Sequence, residues 1–404
     1  MVFSEPMLSD SDMRLRLGLF INAPAKEGAI CAFDLVRHAR AMGHSMSLYA
    51  PEICDSKDAG LWKRFQADDL ETAGWWEAQN LDLAIFYAVG AFSPNVLRLA
   101  RNSGATVIIE CDSDGMVSPL QAPFWRLRMT HLDRRLPLLR QLKSAKAWAH
   151  DWLIEGKNRE ETILSAFDKA HFIKIESEAP AEILRQFFQR CGRADLARKI
   201  VVIPFSVREC FSEPGIQEAK EPVVLLAGRL SSLQKGPLET TEALRQLAST
   251  ANAPQIEMHV RGEAPEFDAL AKEHANISVH HDTPFHVFAE RLRTVQVVFS
   301  RSRWETTPVL GLEALCSGCT LVAPRELPGY ASLIGQGQYG QTYRRNDTPG
   351  AVEAILRELS LWRAGARCPQ DIVEHWRARC SLDEVIGKIL ELRGVVRGSA
   401  LVPA

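Results

Sequence analysis

No stretch of about 18 uncharged apolar residues occurs in this chain, so no membrane-crossing helix is expected. Charge of one sign is missing too. The 48 Lys and Arg stand against 50 Asp and Glu, a net of −2, which gives no global attraction to nucleic acid. Residues 1–12 are polar and acidic and lack the basic-then-apolar order of a secretion signal. The nine cysteines are scattered without a disulfide-like pattern, and nine is odd. Reduced, mostly buried thiols in a cytoplasmic protein are therefore expected, not a disulfide framework.

What the chain does have is length and alternation. Its 404 residues suffice for two domains of about 200 each. With 46% hydrophobic and 24% charged residues it is an ordinary globular composition. Short β-branched runs at 15–21, 45–50, 83–87, 106–110, 171–175 and 200–203 read as strands, with helical spacing at 29–42, 94–101 and 179–190. The scheme repeats with strands at 223–228, 256–261, 277–280, 295–300 and 320–323. Such alternation predicts an α/β fold of two Rossmann-like domains facing each other across a cleft, where a ligand would sit. The boundaries read as 1–211 and 212–375, with a helix and tail over 376–404 that is free to return to the first domain.

The chemistry concentrates in the second half. Ser300 ends a buried strand, and a polar loop leads through Glu305 and Thr306 to Thr307-Pro308. That pair reads as a helix start, with Thr at the N-cap and Pro at the first helical position; Gly318 reads as its stop. A helix starting just beyond a strand presents unpaired N–H groups and partial positive charge, which suit phosphate. Glu305 precedes this helix and Glu313 lies more than one turn inside it, so the two carboxylates can meet different parts of one ligand. Upstream, the apolar run 223–228 ends in Gly228, which places Arg229 at a strand's C-terminal end, where open α/β sheets bind ligands. Lys235-Gly236 follows a short loop. A forked guanidinium plus a mobile ammonium fits a diphosphate.

These residues resemble the retaining GT-B glycosyltransferases, specifically glycosyltransferase family 4. The resemblance rests on Gly228-Arg229-Leu230 with Lys235-Gly236, on Glu305, and on 313–318, with weaker echoes at 41–44 and 202–204. It runs from about residue 15 to 393, tight in the second half and loose in the first. It implies a nucleotide diphospho-sugar donor held by the second domain and an acceptor glycan or glycolipid on the first. Glu305 would contact the transferred sugar and Glu313 the ribose hydroxyls; Arg229 and Lys235 would hold the diphosphate, and Thr306 and Thr307 would line the turn beside it. No metal and no cofactor is implied. The expected reaction is metal-independent sugar transfer with retained anomeric configuration, in surface glycan or glycolipid synthesis. The departing phosphate oxygen would help remove the acceptor proton. A nucleotide-sugar epimerase of the same fold, or a non-catalytic module with a degenerate site, are the competing expectations.

The first half departs from the family's pattern. Many members carry a His after the fourth strand, whereas here residues 106–110 run into Cys111-Asp112-Ser113-Asp114-Gly115. Asp112 or Asp114 stands in its place, with a capped, Gly-ended turn as the structural alternative. The first-strand loop, 22–28, lacks adjacent glycines, leaving Lys26 and Gly28 as candidates to approach acceptor or phosphate.

Four other features stand outside this pattern. Gly335-Gln336-Gly337-Gln338-Tyr339-Gly340 spells a dinucleotide fingerprint but follows no strand and opens no helix. Cys316 and Cys319 have metal-like spacing without a second pair, and His280, His281 and His286 lack an acidic partner. Residues 125–146 hold seven Arg or Lys against one Asp, interleaved with Trp125, Leu127, Leu132, Leu136, Leu139 and Leu142. A basic amphipathic segment of this kind fits an anionic membrane surface, an anionic acceptor, or a helix pair packed on the domain and broken at Pro137. The first use would place the protein on the inner face of the membrane.

Overall fold

The computed structural model describes residues 14–22, 32–52, 60–133, 135–212, 215, 217 and 219–400. Seven parallel strands form the first sheet: β1 Arg16–Phe20, β2 Ser45–Ala50, β3 Trp62–Arg64, β4 Leu83–Tyr87, β5 Thr106–Glu110, β6 Phe172–Ile175 and β7 Ile200–Val202, in the order β3-β2-β1-β4-β5-β6-β7. Six parallel strands form the second: β8 Glu221–Gly228, β9 Gln255–Val260, β10 Ile277–His281, β11 Val295–Phe299, β12 Thr320–Pro324 and β13 Gly340–Tyr343, in the order β10-β9-β8-β11-β12-β13. Central strands such as β5 are buried along their whole length, which is why they read as unbroken apolar runs.

Each sheet reverses its winding once, between β1 and β4 in the first and between β8 and β11 in the second. At such a point the loops leaving two neighbouring strands diverge and open a crevice at the strands' C-terminal ends. Gly228 and the loop after Phe299 flank the second crevice, and Tyr87 ends a strand at the first.

The two edge strands β3 and β13 were not foreseen. Strand β3 is three residues long and half-exposed, so its sequence carries no apolar alternation. Strand β13 begins at the last glycine of the false fingerprint: at Gly340 φ is +147°, and a Cβ would lie 1.8 Å from the Leu321 carbonyl oxygen. That glycine serves a close backbone approach, not a phosphate.

The chain returns to the first sheet at its end. Val385, Ile386, Ile389 and Leu392 of the helix Leu382–Ala400 join Leu17, Leu19, Met46 and Ile85 in one buried cluster. Burying such side chains contributes about 2 kcal/mol each before entropy. The Arg393 guanidinium reaches Asp82 and His38 meets Asp383 at 2.7 Å, fixing both ends of the contact. Among the described residues, no helix is long and apolar enough to cross a membrane.

Candidate active site

Eight of the nine residues singled out in the sequence line one cavity of about 450 Å³ at the second crevice: Gly228, Arg229, Lys235, Glu305, Thr306, Thr307, Glu313 and, from the other sheet, Asp112. The ninth, Gly28, lies outside the described residues, as does Lys26. Gly228 closes β8 with φ at +113°, a conformation that strains any side chain, and the turn it makes brings the chain round to Leu233–Lys235. Arg229 is exposed on the cavity wall and has no side-chain hydrogen bond or ion pair among the described residues.

Glu305 is buried and fully engaged. Lys235 Nζ lies 2.5 Å from Oε1, Ser302 Oγ donates to the same oxygen at 2.5 Å, and Gln234 Nε2 donates to Oε2 at 3.1 Å. The two groups assigned by resemblance to opposite parts of a ligand, the ammonium to phosphate and the carboxylate to sugar, are here each other's partners.

The helix start differs from the sequence expectation. The helix runs Val309–Cys316 with Pro308 at the cap position, and Thr307 gives no side-chain cap. Its hydroxyl instead donates across the cleft to Asp112 Oδ1 at 2.9 Å, while Tyr87 OH lies 3.4 Å from the other Asp112 oxygen. The hydroxyl's hydrogen goes to a carboxylate on the facing sheet, and the helix starts one residue later than read, with Pro308 at the cap. The helix does end as read: Ser317 is its C-cap and Gly318 follows with φ at +79°.

Glu313, the fifth residue of that helix, is buried and pairs with Arg208 Nη1 at 2.5 Å. Burial pushes its carboxyl up to about 7, against the opposing pull of Arg208 and, more weakly, Arg261. Both guanidiniums lie over the Phe285 ring, at 3.9 and 4.8 Å from its centroid. Arg208, Arg261, Phe285 and Gln234 were all missed by sequence reasoning. Arg208 follows the 202–204 junction by four residues and carried no local pattern; Arg261 could have been found as a cation just past the end of β9, by the logic that found Arg229.

The His281 imidazole pairs with Asp268 at 2.8 Å, not with its neighbours. His280 stacks on His259 with centroids 4.9 Å apart, and Glu257 completes a group of three potential ligands, the acid that sequence inspection did not find. Arg291 grips both Glu257 oxygens at 2.7 and 2.6 Å, however, so that carboxylate already has a cationic partner. Cys316 and Cys319 are buried free thiols. Pro137 does divide the basic segment, but the packed helix pair is not what forms. The helix Leu138–His150 has no buried residue, and Leu138, Leu139 and Leu142 are 71%, 75% and 56% exposed.

The two facing doubly wound sheets, and the cleft between them, are the fold of the GT-B glycosyltransferases. A glycosyltransferase from Rickettsia africae superposes with a TM-score of 0.63 at 14% identity, covering 95% of this chain and 99% of that one. Sucrose-phosphate synthase from Thermosynechococcus elongatus gives 0.62 at 13%, covering 96% and 100%. The UDP-forming α,α-trehalose-phosphate synthase from Burkholderia vietnamiensis gives 0.63 at 12%, covering 97% and 100%. Within this fold, residues 221–360 match the family model of the group 1 glycosyl transferases, a stretch that runs from β8 past β13 and holds every second-sheet residue of the site. Comparison with curated proteins finds no match.

Proposed function

We propose that this protein transfers a sugar from a nucleotide diphospho-sugar to an acceptor glycan or glycolipid, with retention of anomeric configuration and without a metal. The observation that carries the reading is the convergence of residues from the 228–235 turn, the 305–313 stretch and Asp112 of the other sheet on one cavity at the switch point of the sheet that matches the glycosyl transferase model.

Breaking a sugar–phosphate bond leaves negative charge on the diphosphate and positive character on the ring. Cations already in place at the leaving oxygens are then the main lever. Arg229, Lys235, Arg208 and Arg261 line the cavity, beside the start of the helix Val309–Cys316. These cations supply the positive charge that a metal would otherwise bring. Glu305, held from three sides, is suited to orient a sugar hydroxyl and not to attack a carbon. Glu313, buried next to Phe285, is suited to the ribose. The departing phosphate oxygen takes the acceptor proton in this scheme. The cleft, with Asp112 offered from the sheet opposite the donor residues, supports a two-substrate transfer; an epimerase would need a water-facing acid/base set and no acceptor cleft.

The exposed leucines of Leu138–His150, set among Arg140, Lys143 and Lys146, support peripheral attachment to an anionic membrane surface on the cytoplasmic side. The deciding experiment for the catalytic reading is release of free nucleoside diphosphate across a panel of nucleotide-sugars, with and without acceptor extracts. Acceptor-dependent release supports transfer. Absence of release from every donor, with donor binding intact, leaves the non-catalytic module.

A further inference from the structure

A cavity of about 610 Å³ lies apart from the one described above. It lies between the 124–141 segment of the first half and the loops of the second, on the other side of the turn Leu233–Lys235: Leu233 faces this cavity, whereas Gln234 and Lys235 face the donor cavity. Five guanidiniums line it, those of Arg128, Arg135, Arg301, Arg303 and Arg345. The carboxylates on its wall are Asp133, Glu239 and Glu242. Asp133 is committed to Arg135 at 2.8 Å. The wall thus carries an excess of positive charge.

Arg301 is the decisive residue. Only 4% exposed, it donates from Nη2 to Thr348 Oγ1 at 2.9 Å. Its Nε and Nη1 are buried with no hydrogen-bond partner among the described residues, and its guanidinium lies over the Tyr343 ring, 5.6 Å from the centroid. A buried guanidinium with two idle donors is costly to the fold unless something accepts from it. Arg345 repeats part of the pattern: its Nε is also buried and without a partner, while Nη2 donates to the Glu326 carbonyl at 3.3 Å, and burial pulls its pKa down against the opposing charge of Glu326. Arg303 donates to the backbone oxygens of Leu132 and Arg128, at 3.2 and 2.6 Å, and so holds the 124–141 segment over the cavity as a roof.

We propose that this cavity is a second anion site, which binds the phosphate group of a phosphate ester. Donors arriving from separate loops, after β11 and after β13, surround a tetrahedral oxyanion better than they match a planar carboxylate, which asks for one coplanar fork. The cavity is far larger than a phosphate, and Phe124, Leu127, Leu132 and Leu238 supply apolar wall, so the phosphate is one end of a larger molecule. Two sources share this chemistry, a soluble phosphorylated metabolite and a phospholipid headgroup. Phe124, 69% exposed at the rim, suits either. The inference stands on this cavity's own geometry and does not depend on the transferase reading.

The test is calorimetric titration of the full-length protein with inorganic phosphate and with glycerol 3-phosphate, and flotation with phosphatidylcholine vesicles with and without phosphatidic acid. Binding of at least one probe is expected, and it persists in Arg229→Ala. Arg301→Gln weakens it by about tenfold or more, the scale of a lost charge-assisted contact, and Arg301→Lys restores part of it. Arg345→Gln, at a less buried position, gives the same direction if Arg301→Gln fails to fold. Loss confined to the soluble probes assigns a metabolite, and loss confined to phosphatidic acid vesicles assigns a headgroup. No binding of any probe, or affinities unchanged within about twofold in both folded Gln variants, overturns the site.

Discussion

Lys235 and Glu305 neutralise each other in the centre of the candidate active site, 2.5 Å apart, with Ser302 and Gln234 completing the carboxylate's partners. A ligand's phosphate that draws the ammonium away would release one Glu305 oxygen for a sugar hydroxyl, so the pair couples the two ends of a donor. Lys235→Ala is expected to lower turnover by about 10²–10³ and to cost about 1–3 kcal/mol of stability, since Glu305 keeps its burial but loses its cation. Steady-state nucleoside diphosphate release and urea unfolding measure both. Near-normal turnover in this variant and in Arg229→Ala would remove their proposed role.

The Thr307–Asp112 bond joins the two halves at the cavity. A double-mutant cycle of Thr307→Val and Asp112→Asn should give a coupling of about 0.5–1.5 kcal/mol in turnover or stability. Strictly additive effects would mean that the hydroxyl and the carboxylate act separately in solution.

The Glu313 carboxyl is raised from its ordinary 4.5 to about 7 by burial. The folded protein therefore holds this proton more tightly than the unfolded chain does. Stability from this group is fully present below about 4.5 and is lost as pH climbs through 7. At about 1.4 kcal/mol per pH unit the loss is of order 3 kcal/mol. Urea unfolding at pH 5 and pH 8 should show that loss in the wild type beyond whatever Glu313→Gln shows. Equal pH slopes in the two proteins would place the titration elsewhere.

Exposed leucines make a contrasting pair of predictions with buried isoleucines. Leu138→Ser with Leu139→Ser should leave stability within about 0.5 kcal/mol, since neither is packed, yet abolish sedimentation with anionic vesicles at low salt. Ile389→Ala, in the cluster under the C-terminal helix, should cost about 2–5 kcal/mol in unfolding and leave vesicle binding alone. Vesicle binding that is absent in the wild type ends the membrane proposal.

Legibility followed burial. Strands β2, β4 and β5 match their expected limits because they are buried ladders whose side chains leave no alternative, and β8 and β11 agree to within two residues. The half-exposed edge strand β3 left no comparable trace. In the site, residues tied to backbone geometry were readable: Gly228 at a strand end, and Glu305 and Glu313 about a helix start. Groups brought in from a distance were not, save Asp112, which the resemblance supplied. Arg208 and Phe285 acquire meaning only through folding, which sets one over the other beside Glu313. Thr307 reads as a cap from its place before Pro308, while the acceptor its hydroxyl finds is 195 positions away in the chain.

The polypeptide passes between its halves twice, once after β7 and once where the helix Pro369–Cys380 gives way to Leu382–Ala400. Val207 N–H donates to the Cys380 carbonyl at 3.1 Å, so both passages are stitched together at one spot. Parting the halves would barely disturb Val207, whereas the latch between Arg135 and the Ser231 carbonyl, 2.8 Å long when shut, would have to break.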